Sequence, residues 1–314
     1  MTESYFLWPK SNVLRALASA PRLGSVKVIE EKLRGMFPTG HPVLCSSGRA
    51  AIVLALIESE VSRSDFVGVF PYASHCVLDA ISRVATPLSG PTATTAPLRI
   101  VYHQWGYVQE TDLPNNTIED CVDTLCVAGT KLFPGGGRFE IWSLPKILGT
   151  TSGGVLWCRD EEAAQKIRCL RDERGGGLFQ WIIRLLAQKH LRAHFYWQGA
   201  EGASGRVSSL QTGEILAAVL KWETVVSDRL NKLSMAWPLS VEWLQKPFNR
   251  LPPVVPVVLD LPETEIQELG ISSGHRMFER REGDGYRSLT KVLPVPIHQD
   301  VPEHWLSDII KKIK

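Results

Sequence analysis

The middle of the chain places an acid, a hydroxyl, an amine and small residues at a spacing suited to covalent chemistry. Asp120 ends the apolar run TIED, Ser143 and Lys146 lie in WSLPK, and the pair Gly153-Gly154 follows. A primary amine can hold an aldehyde, a carboxylate can keep a ring nitrogen protonated, and neutral donors can surround a phosphate. Pyridoxal 5'-phosphate (PLP) needs all three groups, so this stretch predicts a PLP site.

Lys146 is the residue that we expect to form a Schiff base with the cofactor. Most lysines are exposed and take no part in chemistry, but the flanking runs EIWSLP and ILG are apolar and predict partial burial here. A lysine amine at that position can also carry a proton between a substrate carbon and the cofactor.

Asp120 and Ser143 are the expected partners of the ring nitrogen and of the phosphate. A strand-end carboxylate can form a charge-assisted hydrogen bond to a pyridinium nitrogen, whereas its neighbour Glu119 should point to the opposite side of the strand. The competing interpretation is an aspartate that merely caps the next segment.

A second phosphate-binding element is predicted where the run VLCSS meets an apolar, helix-like segment. Ser47, Gly48 and Arg49 fall at this helix start, and free N–H groups together with the helix dipole favour an anion there. Simple N-capping by the serine is the alternative.

Other histidines and glycines are weaker candidates. His75, in PYASHC after the second predicted strand, could lie on the cofactor ring or be a hydrogen-bonded structural residue. His190 and His194 have helical metal-ligand spacing but no obvious third ligand, so no metal site is predicted. The loops at Gly135 and Gly175 lack nucleotide-binding spacing and are predicted to be flexible.

The composition is typical of a globular protein and indicates no particular binding partner. The 314 residues carry a net charge of +2 and 44% hydrophobic residues, which gives no reason to expect nucleic acid or an anionic membrane as partner. The six cysteines form no CxxC pair, and the N-terminus lacks a long apolar core. A cytoplasmic protein with reduced thiols is expected.

The elements that must position these residues alternate between strand and helix. Short apolar runs such as DFVGVFP, LRIVYH, FEIWSL and GGVLWC are separated by helix-like segments and polar loops. This pattern predicts an α/β fold with a mostly parallel sheet between helices. We expect a large domain over residues 1–205 and, over residues 206–314, a linking helix from about Ser208 to Leu233 and a smaller α+β domain.

The order of these segments resembles the DegT/DnrJ/EryC1/StrS sugar aminotransferases, of the fold-type I PLP class. The matching pieces span nearly the whole chain and include SSGRAAIVLAL, VFPYASHCVLDAI, TIEDCVDTL, the block from WSLPK to SGGVL, and VLPVPIH. Several motifs in the same order are much more specific than any one of them.

The resemblance implies roles for individual residues. Lys146 is implied as the Schiff-base lysine, Asp120 as the partner of the pyridine nitrogen, and His75 as the ring-stacking residue. Gly48 and Arg49 fall on the phosphate-binding turn, to which Ser143 adds a ligand.

The resemblance also implies a homodimer with its active sites at the subunit interface. Arg206, in GRVSSLQ, corresponds to an interface motif and is expected to approach the cofactor or the substrate.

The chain departs from the family pattern at several positions. Where the family has Gln or His near the phenolic oxygen of the cofactor, this chain has Asp123, which would bring one anion towards another and could raise a pKa. The segment between Ser143 and Lys146 is two residues shorter, and Thr151 and Ser152 replace a glycine and a glutamate.

The expected activity is transfer of an amino group from an amino-acid donor, glutamate by resemblance, to a nucleotide-linked keto sugar in polysaccharide or amino-sugar synthesis. Two alternatives stay open: a PLP-dependent sugar dehydratase or lyase, and a non-catalytic scaffold with the same fold. Lys146 argues against the dehydratases that resemble this family, because they have histidine at that position.

Overall fold

The computed structural model describes residues 3–19, 25–109, 112–176, 204–281 and 287–313, together with residues 178, 182 and 202. The strands are β1 (His41–Cys45), β2 (Phe66–Val69), β3 (Thr86–Leu88), β4 (Leu98–Tyr102), β5 (Thr117–Asp120), β6 (Leu125–Cys126), β7 (Phe139–Ser143), β8 (Gly154–Cys158), β9 (Arg250–Leu251), β10 (Val254–Val257), β11 (Arg276–Arg281) and β12 (Arg287–Pro296). The helices are α1 (Val13–Ser19), α2 (Val26–Met36), α3 (Gly48–Glu58), α4 (His75–Ser82), α5 (Leu144–Leu148), α6 (Glu161–Glu173), α7 (Ser209–Val219), α8 (Trp222–Ala236), α9 (Glu263–Glu268) and α10 (Glu303–Ile313).

Seven strands form the central sheet in the order β1-β8-β7-β5-β4-β2-β3. All neighbouring strands in it are parallel except β8, which runs antiparallel to β1 and β7. The predicted α/β fold with a mostly parallel sheet is therefore confirmed. Because parallel strands end at the same edge, the residues that follow β1, β4, β5 and β7 gather on one side of the molecule.

Both faces of the sheet are covered, which explains the near-continuous apolar runs in its strands. Helix α3 is apolar all round because β8, β7, α4 and α6 surround it. On the opposite face, Phe37, Trp142, Trp157 and Trp222 form a buried aromatic cluster with ring centroids 5.1–5.7 Å apart. Trp142 and Trp157 lie on β7 and β8, while their strand neighbours face α3.

The helix predicted from Ser208 to Leu233 is wrong in one respect, because the structure divides it into α7 and α8. Lys221, between them, has φ −98° and ψ 10°, outside the helical range. Trp222, the first residue of α8, donates from its indole to the carbonyl of Cys126 in β6 at 2.8 Å and stacks on Trp142 of β7, which anchors the start of α8.

The C-terminal part is a smaller α+β unit, as the sequence predicts. Strands β10, β12 and β11 form an antiparallel sheet, and α10 packs on α8. The domain boundary after residue 205 stays a prediction. In the described part of the chain no helix is long and apolar enough to cross a membrane, and all six cysteines are free thiols.

Candidate active site

Asp120 ends β5 in the middle of the sheet and is only 2% exposed. Burial raises the pKa of its carboxyl to about 7, the charge of Lys146 opposes that rise, and Asp123 adds to it. Its Oδ1 accepts a hydrogen bond from the N–H of Val122 at 3.2 Å. The structure thus brings the predicted carboxylate and the predicted lysine within electrostatic reach of each other.

Lys146 lies on the short helix α5, directly after β7, and is half-buried. Its Nζ stands 4.3 Å from the ring centroid of Trp8, which comes from the N-terminal segment. Ser143 occupies the N-cap position of α5, yet its hydroxyl makes no capping hydrogen bond. That hydroxyl can therefore donate a hydrogen bond to a ligand.

The turn between β1 and α3 lies beside these residues. Ser47 caps α3 by accepting from the N–H of Ala50 at 3.1 Å, so the capping alternative is correct for its hydroxyl. A Cβ on Gly48 would lie 3.6 Å from Cβ of Ser143, and one on Gly154 would lie 2.6 Å from N of Gly48. The helix start, the end of β7 and the glycine pair are consequently packed closely against one another.

Asp123 is completely buried within electrostatic reach of Lys146. The hydroxyl of Tyr102, at the end of β4, donates to its Oδ2 at 2.6 Å, whereas its Oδ1 is buried without a hydrogen-bond partner among the described residues. Burial raises the pKa of Asp123, while Lys146, the Tyr102 hydroxyl and Trp8 oppose the rise.

Two predicted residues lie at the periphery. His75 is exposed as the first residue of α4, so its ring-stacking role stays a prediction. Arg206 is also exposed, with its Nε 4.0 Å from a carboxylate oxygen of Asp172. His190 and His194, considered and rejected as metal ligands, lie outside the described residues.

The loop around Gly135, predicted to be flexible, is held by hydrogen bonds to a buried carboxylate. Glu119 faces this loop and accepts backbone N–H groups from Gly135 and Gly137, both at 2.7 Å. Nε2 of His103 lies 2.8 Å from Oε2 of the same carboxylate, within hydrogen-bond distance. The glycines allow close approach to a buried acid, because a Cβ on Gly137 would come within 2.9 Å of Glu119.

Several residues near the site were missed by the sequence analysis. Besides Tyr102 and Trp8, the fully buried Arg229 lies close by, with Nη2 donating to the carbonyl of Ile147 at 3.1 Å. Burial lowers the pKa of Arg229 to about 10, against the charges of Asp228, Asp123 and Asp300. These residues come from distant parts of the chain, so no local pattern could have indicated them.

An aromatic cavity of about 370 Å³ adjoins the site. Phe70, Tyr72 and Tyr102 contribute rings whose centroids lie 5.2–6.4 Å apart. Glu279 of β11 also lines it and accepts from the hydroxyl of Tyr72 at 3.1 Å. Tyr102, which lines the cavity, also donates to Asp123 and so lies between the cavity and the buried acids of the site.

This arrangement fits PLP by the chemistry of its donors. It offers one amine, a buried carboxylate, a hydroxyl without a capping partner, and a helix start approached closely by glycines. These groups can hold an aldehyde, a protonated ring nitrogen and a phosphate.

Comparison with known proteins agrees with the geometry. A family model described as "Putative PLP-dependent aminotransferase" matches residues 29–240. The structure is similar to the "putative sugar aminotransferase Spr1654" of Streptococcus pneumoniae in its PMP form, at 14% identity and a TM-score of 0.68, covering 98% of both chains. It is also similar to PseC of Helicobacter pylori, an aminotransferase involved in the biosynthesis of pseudoaminic acid, at 11% identity and a TM-score of 0.67, covering 99% of this chain and 98% of that one.

A DegT DnrJ EryC1 StrS aminotransferase from Brucella abortus is similar as well, at 14% identity and a TM-score of 0.63, covering 96% of this chain and 94% of the other. No curated protein matches the sequence. At these identities the structural likeness establishes the fold, and the expected fold-type I architecture of the DegT/DnrJ/EryC1/StrS enzymes is confirmed.

Proposed function

The chain belongs to a family of PLP-dependent aminotransferases, and on that premise we propose that it moves an amino group from glutamate to a keto sugar attached to a nucleotide. The observation that carries the proposal is the buried Asp120 within electrostatic reach of Lys146 at the end of a parallel sheet. The pathway that we propose is polysaccharide or amino-sugar synthesis in the cytoplasm.

Lys146 and Asp120 would perform the central chemistry. PLP, when bound, supplies an electron sink and a temporary carrier for the amino group. Nζ of Lys146 would hold the aldehyde carbon of the cofactor. Once released, Nζ would take a proton from the α-carbon of the amino-acid donor and pass it to the cofactor carbon that has received the amine. The Asp120 carboxylate would keep the ring nitrogen protonated.

The phosphate would be held at the start of α3. Backbone N–H groups of Gly48 and Arg49 lie in the first helical turn, where an α-helix offers them no internal acceptor. The hydroxyl of Ser143 would add a donor from β7, and Ser47 would keep the turn closed through its cap. His75 would lie on the ring, as the family resemblance implies.

The aromatic cavity beside Tyr102 supports a sugar as acceptor. The C–H face of a sugar packs well against aromatic rings such as those of Phe70 and Tyr72, and a carboxylate such as that of Glu279 accepts hydrogen bonds from hydroxyl groups. An acceptor in this cavity would be next to the Asp123 end of the site.

The two half-reactions test the proposal directly. PLP-loaded protein should show a visible absorption band that borohydride fixes as a covalent adduct on Lys146. Glutamate alone should bleach the band and release 2-oxoglutarate, and a keto-sugar nucleotide should restore it with formation of an amino sugar. If glutamate leaves the band unchanged, transamination from this donor is excluded.

Two lysine variants provide the matched control. Lys146→Ala should abolish the band and the adduct, whereas Lys166→Ala, at an exposed lysine of α6, should leave both intact. Conversion of the sugar without 2-oxoglutarate would instead identify a dehydratase or lyase.

A further inference from the structure

One oxygen of Asp123 is held by a short hydrogen bond within the protein and the other is not. Tyr102 donates to Oδ2 at 2.6 Å, while Oδ1 is equally buried and makes no hydrogen bond of normal geometry in the part of the chain that is described. The indole of Trp8 lies close enough to oppose the rise in the pKa of Asp123, but its N–H makes no such bond either. A buried polar atom without a partner costs free energy, so a partner from a ligand is expected at Oδ1.

The order of strands determines which part of PLP would meet that oxygen. Ser143 ends β7, on one side of β5, and Gly48 packs against it. Tyr102 ends β4, on the other side of β5. In PLP, the carbon that bears the aldehyde lies between the carbon with the phosphate arm and the carbon with the phenolic oxygen. A phosphate near Ser143 and Gly48 therefore directs the phenolic oxygen towards Asp123.

Burial favours a proton between these two oxygens, although the nearest cations oppose it. Lys146 from α5 and Arg229 from α8 face Asp123 as cations, and Asp120 faces it as a second acid. Burial nevertheless keeps the pKa of Asp123 above its usual value. Burial, followed by Asp123, holds the pKa of Tyr102 well above its usual range, so its hydroxyl remains a donor and occupies Oδ2.

We infer that Asp123 is a neutral carboxylic acid that donates a hydrogen bond from Oδ1 to the phenolic oxygen of PLP, and that Tyr102 is the positioning residue that orients it. This inference rests on the proposed binding of PLP by Lys146 and Asp120. An ionised Asp123 would place two anions in contact, whereas a shared proton turns the same contact into a strong hydrogen bond.

Substitution of Asp123 tests the inference by cofactor binding and spectroscopy, without turnover. Asp123→Asn keeps a donor and a neutral side chain, so the dissociation constant of PLP should stay within about threefold and the pKa of the visible band within about one unit. Asp123→Leu removes the donor and should weaken PLP binding about 10- to 100-fold. A larger band shift in Asp123→Asn, or equal losses in both variants, overturns the inference.

Infrared spectra of the PLP-loaded protein at neutral pH report the proton itself. The wild type should show a protonated-carboxyl band that Asp123→Asn lacks. Tyr102→Phe should move this band to higher frequency because the carbonyl loses its hydrogen bond, and Tyr107→Phe, at a buried tyrosine whose hydroxyl has no described partner, should not.

The outcomes separate this inference from the proposed function. A wild type that forms the lysine adduct but lacks the protonated-carboxyl band contradicts only the role of Asp123. A wild type that forms no adduct overturns both.

Discussion

The carboxyl of Asp120 is almost completely buried, although its proposed role beside the ring nitrogen of PLP requires it to be ionised. Without the cofactor, burial raises its pKa to about 7 despite Lys146. A protonated ring nitrogen would supply the missing cation and return the carboxyl to its charged form. The burial of Asp120 therefore supports its proposed contact with a cationic ring.

This burial predicts a pH dependence of the cofactor-free protein. The folded state holds the proton of Asp120 more tightly than the unfolded state does, so the free energy of unfolding should fall as pH rises from about 4 to about 7. Asp120→Asn should lack this contribution. Chemical denaturation of both proteins across that range measures the difference between them.

The wild type must be compared with Asp120→Asn because the titration of His298 changes the free energy of unfolding with pH in the opposite direction. Burial, with a contribution from Arg229, lowers the pKa of His298 to about 3, so its contribution to stability is lost as pH falls below about 6.5. If the free energies of unfolding of the wild type and Asp120→Asn differ by the same amount at every pH, the predicted ionisation of Asp120 is contradicted.

At the scale of elements, the antiparallel strand β8 brings the glycine pair against the start of α3. A Cβ on Gly154 would lie 2.4 Å from the carbonyl carbon of Ser47, a distance that requires the backbone to move. Position 154 therefore has no room for a side chain, because the strand lies directly against the predicted phosphate-binding turn.

Gly154→Ala should destabilise the protein by about 2–4 kcal/mol through this clash and weaken PLP binding by displacing the turn. Gly35→Ala is the matched control, because its Cβ would meet nothing within 4 Å on α2 and alanine favours a helix by roughly 1 kcal/mol. Thermal unfolding and PLP titration of both variants distinguish the steric clash at position 154 from the effect of any glycine-to-alanine change.

The N-terminal segment is an element of the site that the sequence analysis did not predict. Tyr5 pairs with Ile271, the ring of His298 donates to the carbonyl of Phe6 at 3.0 Å, and the hydroxyl of Ser11 donates to the carbonyl of Thr150 at 2.8 Å. These bonds fix the segment on both sides of Trp8, so the indole is held over Lys146.

Trp8→Ala should expose the lysine amine. We expect modification of Lys146 by an amine reagent, followed by mass spectrometry, to become several-fold faster, whereas Trp8→Phe should keep the rate near that of the wild type because a ring face remains. Equal rates in all three proteins would show that the indole does not protect the amine.

At the scale of the whole molecule, a buried ion pair joins the large sheet to the C-terminal unit. Arg250 of β9 donates to both carboxylate oxygens of Glu140 of β7, at 2.9 and 3.0 Å. Burial alone would raise the pKa of Glu140, but the Arg250 guanidinium lowers it overall. The two parts of the chain are therefore held in a defined arrangement around the site.

Glu140→Gln should cost about 3–5 kcal/mol in unfolding free energy, because it leaves a buried guanidinium without its counter-charge. Glu162→Gln is the control, since that carboxylate is exposed and its ion pair with Lys166 contributes little. Equal effects of the two changes on denaturation midpoints would contradict a structural role for the buried pair.

The expected homodimer is also a prediction at this scale. Light scattering of the purified protein should give twice the mass of one chain. If Arg206 reaches the site of the partner subunit, Arg206→Ala should weaken PLP or substrate binding while the mass stays unchanged. A monomer that carries both half-reactions would rule out the shared site.

The sequence alone was enough to predict the alternating strands and helices, the mostly parallel sheet, and the proximity of Asp120, Lys146, Ser143 and Gly48 to one sheet edge. Local hydrophobic periodicity sets the elements, and the carboxyl ends of parallel strands meet at one edge. Only the tertiary structure decided the partners that come from far along the chain, such as Tyr102 on Asp123 and Trp8 over Lys146. Those contacts depend on how helices and strands pack, which no local pattern records.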